Sequence, residues 1–134
     1  MVRFRKSALT ATTTFAAMAA AVVLAAPNAT AYVSNVSVAS GNSIGLGSAQ
    51  YGTNCSHTVT VEGSAWESVW LYSTNAGTFN PQSFNLGSSG RATSTWTPSN
   101  TGWTGIHAWS YGGDRWTWVN VGTGINLGSA CVVR

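Results

Sequence analysis

The run Cys55-Ser56-His57-Thr58-Val59-Thr60-Val61 alternates strictly between two kinds of side chain. Cys55, His57, Val59 and Val61 fall on one face, and Ser56, Thr58 and Thr60 on the other. A period of two is that of a half-buried β-strand, because a helix would bring residues three and four apart onto one face. The only other cysteine in the chain is Cys131. A Cys55–Cys131 disulfide would close nearly the whole domain into one loop and place a C-terminal strand against this one. An intermolecular bond is the alternative.

Moving outward, Val69-Trp70-Leu71-Tyr72 sets Val69 and Leu71 on one face and Trp70 and Tyr72 on the other. Phe84 and Leu86 form a short strand. From Arg91 to Thr97, Ala92, Ser94 and Trp96 oppose three threonines, which places Trp96 in the core, and Pro98 stops the strand. Ile106 to Tyr111 is the next strand, and Gly112-Gly113-Asp114 turns it into Trp116 to Val121. Tyr32 to Val38 and Ile44 with Leu46 read as edge strands. Short strands at regular spacing with no helical period indicate an all-β antiparallel sandwich. Residues 41–49 and 122–130 match at six of nine places, either as a strand-plus-turn repeated before each cysteine or as a product of Gly- and Ser-rich composition.

The N-terminus carries Arg3, Arg5 and Lys6 before an uncharged stretch from Ala8 to Ala26, and Ala29-Thr30-Ala31 is a small-x-small cleavage site. Residues 1–31 are expected to be a secretory signal peptide cut before Tyr32, leaving residues 32–134 as one domain with no membrane span. A secreted product, free or associated with the envelope, follows, as does an oxidised cysteine pair. The precursor's formal charge of +3 belongs to the targeting segment, for beyond it Arg91, Arg115 and Arg134 balance Glu62, Glu67 and Asp114. No basic patch remains to hold nucleic acid.

Gly90-Arg-Ala-Thr-Ser-Thr-Trp-Thr-Pro98, followed by Thr104-Gly-Ile-His-Ala-Trp-Ser-Tyr-Gly112, resembles the bacterial Ig-like repeat domains of secreted and surface proteins, as does Val69-Trp-Leu-Tyr-Ser-Thr-Asn-Ala-Gly77. The resemblance spans about residues 55 to 121. It implies an Ig-like β-sandwich and no particular chemistry. Antibody-type domains join their second and sixth strands by a disulfide, whereas the sixth-strand candidate here holds no cysteine.

Catalytic groups are few. His57 shares the face of Val59 and reads as a hydrogen-bonded core histidine. His107 is expected at a corner near the start of the sixth strand, bonded to backbone. A relay of Ser110, His107 and Asp114 fails because Ser110 and His107 alternate faces, and Glu62 and Glu67 read as solvated charges flanking one loop. No enzyme, cofactor or metal is expected.

Seven tryptophans are too many for one small core. If Val69 and Leu71 point inward, Trp70 and Tyr72 point outward. By the same parity Trp116 and Trp118 point outward if Val119 and Val121 point inward. These four are the candidate ligand-binding residues, with Ile106, Ala108 and Ser110 expected as small side chains between them. The competing orientation buries Trp70 on the disulfide. A non-enzymatic binding or adhesion module follows, with a protein or polysaccharide of the envelope or another cell surface as partner. A small carbohydrate-binding module is the alternative, and a secreted inhibitor or antimicrobial polypeptide is a further one, favoured by size and disulfide.

Overall fold

A computed structural model describes residues 31–134, so the expected signal peptide lies outside the described residues apart from Ala31. Twelve strands follow one another: β1 Val33–Ala39, β2 Ser43–Gly45, β3 Tyr51–Gly52, β4 His57–Gly63, β5 Ser68–Ser73, β6 Gly77–Asn80, β7 Ser83–Asn85, β8 Arg91–Pro98, β9 Gly102–Ser110, β10 Gly113–Gly122, β11 Gly124–Asn126 and β12 Cys131–Val133. They form a four-stranded sheet β1-β4-β8-β6, a five-stranded sheet β3-β10-β9-β5-β7 and a small sheet β11-β12-β2. The two larger sheets share one core, as an Ig-like sandwich requires.

The opening strand behaves as its alternation predicts. Cys55, His57, Val59 and Val61 are buried, and Ser56 and Thr58 are exposed. The regular strand begins at His57, two residues after the cysteine. Val59 and Val61 lie opposite Val38 and Val36 of β1 and opposite Ser94 and Ala92 of β8. They pack in one cluster with Val69, Leu71, Ile106, Ala108, Val119 and Val121 of the facing sheet. Each fully enclosed Val, Leu or Ile contributes about 1.5–3 kcal/mol, which makes this cluster the main source of stability.

Trp96 is fully enclosed on β8, so the core tryptophan belongs to that strand and Trp70 lies outside the core. Its indole meets Phe79, His57 and Tyr51 at centroid distances of 6.4, 5.9 and 6.4 Å. The indole Nε1 is buried with no hydrogen-bond partner among the described residues. His57 is a bonded core histidine, 3.2 Å from the Gly52 amide through Nε2 and 3.3 Å from the Ser40 carbonyl through Nδ1. A neutral ring with its proton on Nδ1 satisfies both.

Cys55 is bonded to Cys131 within the chain. The expected pairing of the C-terminal strand with the opening strand does not form. Instead β12 runs between β2 and β11, because the bond is made from the link before β4 and not from its hydrogen-bonded edge. The internal repeat acquires a structural meaning here: Ile44 and Ile125, at matching places in the two copies, both lie opposite Val132. Gly52 lets β3 approach the bond, since a Cβ there would come within 2.6 Å of Cys131 Sγ.

Two outcomes test this account. The disulfide spans 76 residues, so replacing Cys55 and Cys131 together by alanine should lower the unfolding free energy by about 4 kcal/mol in urea titrations. Burial lowers the pKa of His57 from its ordinary 6.5, opposed by the Gly52 and Ser40 carbonyls, which lie within 3.3 Å of its ring nitrogens and accept from the charged ring. Above 6.5 the ring is neutral folded and unfolded; below it the unfolded chain takes up a proton that the folded chain refuses. Stability should therefore fall as pH drops from 6.5 towards the lower folded pKa, then level, and urea titrations of His57→Gln should lack that component.

Candidate functional site

The outer face of the five-stranded sheet is built by register. Trp70 and Tyr72 on β5 lie opposite Trp109 and His107 on β9, and His107 lies opposite Trp116 on β10. Directly paired residues of a sheet share a face. Val69 and Leu71 are fully buried, so their neighbours Trp70 and Tyr72 turn outward, and the pairing carries His107, Trp109 and Trp116 out with them. Trp118 follows Trp116 by two residues and stands opposite Gly105.

The exposures are 48% for Tyr72, 48% for Trp116 and 57% for Trp118, with Trp70 half-buried. The four rings chosen from the sequence thus lie on one face. The side chains expected between them do not: Ile106, Ala108 and Ser110 are buried, and His107, Trp109 and Tyr111 occupy the outer positions of β9 and the turn after it. Parity along one strand cannot align that strand with its neighbours. The cross-strand pairs do.

The rings form two groups. Trp70, Trp109 and Tyr111 meet edge to face or tilted, with centroids 5.0–5.6 Å apart. Tyr72, His107, Trp116 and Trp118 form a row in which His107 and Trp116 stack at 4.1 Å and 6°, and Trp116 and Trp118 at 6.0 Å and 13°. His107 sits mid-strand and not at a corner. Its Nε2 donates to Asp114 Oδ2 at 2.6 Å, because Asp114 projects from the same face of β10 and carries a stronger acceptor than a backbone carbonyl.

Ser110 is on the opposite face and donates to the Gly113 carbonyl, so it cannot reach His107. Glu62 pairs with Arg91 at 2.9 Å, while Glu67 is only 7% exposed and so departs from the expected solvated charge. Its place in the tight link between β4 and β5, with backbone bonds to Ser64 and Leu86, covers it. Among the described residues no group of three or more His, Cys, Asp or Glu is placed to hold a metal ion.

Trp103 was not among the sequence candidates, yet it is 68% exposed on the outer face. The signal was available, since Trp103 has the parity of His107 and Trp109. It lies opposite Asn120, one two-residue step from Gly105. Trp103 and Trp118 line a shallow groove of about 200 Å³ with Ser48, Gln50, Tyr51, Val119 and Asn120. The parallel pairing of β3 with the end of β10 brings Ser48 and Gln50 there.

No family model matches the chain, and no curated protein matches it. Solved structures do. The D0-D1 domain of intimin superposes with a TM-score of 0.52 at 16% identity, over 68% of this chain and 48% of that one. The fold is that of the bacterial Ig-like domains. The D00-D0 domain of intimin gives a TM-score of 0.51 at 16% identity, over 66% of this chain and 46% of that one. A 282-residue C-terminal fragment of intimin, in complex with the intimin-binding domain of the translocated intimin receptor, gives 0.52 at 16% identity over 68% and 33%. The chain thus spans less than half the length of each of these solved chains, and the likeness is one of fold.

In this Ig-like domain the outer position of Trp118 depends on the absence of a side chain at residue 105. A Cβ there would meet the far ring carbons of Trp118 at 2.9, 3.0 and 3.1 Å. Gly105→Ala should lift that ring into solvent. Iodide quenching of tryptophan emission should increase while stability changes by about 1 kcal/mol or less. Unchanged quenching would show that Trp118 does not rest on Gly105.

Proposed function

We propose that this chain is an exported, non-enzymatic Ig-like binding module that takes its partner on the outer face of the five-stranded sheet. The observation that carries the reading is the contiguous set of exposed or half-exposed rings from Trp70, Tyr72, His107, Trp109, Tyr111, Trp116 and Trp118. A small soluble domain gains nothing in folding free energy from indoles left in water, and a contiguous aromatic surface is the usual mark of an interaction site. The balanced charge beyond the leader makes shape, stacking and hydrogen bonding the means of recognition in place of long-range attraction.

Export by the N-terminal leader, with cleavage before Tyr32, delivers the domain to the envelope or beyond it. The partner is a protein or polysaccharide of the envelope or of another cell surface. One of the intimin structures of like fold holds a receptor's intimin-binding domain, which supports a protein-binding use of this architecture without identifying the partner here. The inhibitor or antimicrobial reading has less support, since its features are size and a disulfide alone.

The test is sedimentation of the oxidised protein, purified after expression of the full chain, with intact cells and envelope fractions. Saturable retention is expected, weakened about tenfold by Trp116→Ala or Tyr72→Ala, which corresponds to about 1.4 kcal/mol for each ring. Retention indifferent to both substitutions would remove the aromatic face as the binding surface.

A further inference from the structure

The aromatic face is not uniform in what it offers a ligand. One side of Trp116 is covered by His107 at 4.1 Å, and Trp70, Trp109 and Tyr111 occupy one another's edges and faces. Trp103 and Trp118 differ, for a groove separates them and both are more than half exposed. They are diagonal neighbours across β9 and β10, since Trp118 lies opposite Gly105 and Trp103 opposite Asn120. Diagonal positions of an antiparallel pair stand about 7–8 Å apart. That spacing belongs to the backbone positions; the Trp118 ring lies over Gly105, so its exposed side and Trp103 border an open groove of about 200 Å³ in which one ring of a ligand can rest.

The chemistry of the groove narrows the class further. Its lining carries no charged side chain: the polar side-chain groups free to meet a ligand are the amides of Gln50 and Asn120 and the hydroxyl of Ser48, since the Tyr51 hydroxyl donates to the Val38 carbonyl. Amides and hydroxyls both donate and accept, which matches the mixed donors and acceptors of sugar hydroxyls better than those of an anion or cation. Indole faces are electron-rich and attract the polarised C–H groups of a pyranose face. The volume of about 200 Å³ is below the roughly 300–1,000 Å³ typical of pockets for a drug-sized ligand, which suits one ring of a longer molecule.

The surroundings extend the same logic. The outer residues of β9 run from Trp103 to Trp109, six residue steps and therefore about 20 Å at the rise of an extended strand, with Tyr111 in the turn beyond. A chain polymer lying along this line would meet Trp116, His107 and Trp109 after leaving the groove. We infer that the Trp103–Trp118 groove is a binding subsite for one pyranose ring of a neutral polysaccharide, with Gln50 and Asn120 bonding its hydroxyls. This rests on the proposal that the aromatic face binds a partner, and assigns that partner a chemical class.

The assignment depends on the small sheet as well. Segment 46–50 is led to the groove from β2, which pairs with β12, and β12 is bonded to Cys55. Rupture of the disulfide in a still-folded protein would loosen Ser48 and Gln50 and leave the two indoles in place.

The test is calorimetric titration of the oxidised protein with cellohexaose, chitohexaose and xylohexaose, with tryptophan emission followed in parallel. At least one of the three is expected to bind saturably. Trp103→Ala and Asn120→Ala should each weaken it about tenfold, while Thr58→Ala, exposed on β4 of the four-stranded sheet, leaves it unchanged. Trp103 is mostly in solvent, so its removal leaves the fold intact, which far-UV circular dichroism checks. Failure of all three sugars at millimolar concentration, or binding indifferent to Trp103→Ala, overturns the assignment. Envelope retention separates the two readings: retention sensitive to Trp116→Ala without binding of any hexasaccharide leaves the broader module standing and removes its saccharide, whereas loss of both removes both.

Discussion

The burial of Val59 and Val61 is the constraint on which the remaining structure depends. Both are fully enclosed, between β1 and β8 laterally and against the five-stranded sheet across the core. A strand has two faces and a period of two, so committing one face to the interior commits every other residue to the opposite face. Val69 with Leu71, Ile106 with Ala108, and Val119 with Val121 meet the same requirement on the facing sheet. Their neighbours are Trp70, His107, Trp109, Trp118 and Asn120. The aromatic surface is thus the obligatory reverse side of an aliphatic core.

The second constraint is the covalent one. Cys55 and Cys131 join the link before β4 to the first residue of β12. Around that bond β2 and β11 flank β12, and β3 runs beside the end of β10. This arrangement closes one end of the sandwich with a small sheet and carries the chain past the edge of the aromatic face. Structural closure and the supply of polar groups to the Trp103–Trp118 groove therefore have one origin. The repeat reinforces it, since two similar segments give β12 an isoleucine on each side.

Aromatic rings on a surface lower their exposure by covering one another, and here they do so unequally. His107, fixed by Asp114 at 2.6 Å, lies flat against Trp116. The pair makes a rigid centre, while the Trp103–Trp118 end remains open. Preorganised rings lose little side-chain freedom when a partner arrives, which favours binding on this face.

The sequence by itself determined most of the strands and the inward row of the opening one, because alternation is a local property. It left two orientations open for Trp70 with Tyr72 and for Trp116 with Trp118, and it set Ile106, Ala108 and Ser110 on the outer face, whereas the fold buries them. It also determined that Trp96 belongs in the core, beside small neighbours and opposite three threonines. Tertiary structure alone decided how the strands line up. His107 facing Trp116, Trp118 resting on Gly105 and Gln50 arriving beside Asn120 are all matters of register and crossover between distant segments. The same is true of β12, which the cysteine count tied to the opening strand but backbone pairing assigned to β2 and β11. Period along a strand is written in neighbouring residues, whereas register depends on how all the inward rows fit together at once, and that fit exists only in the folded core.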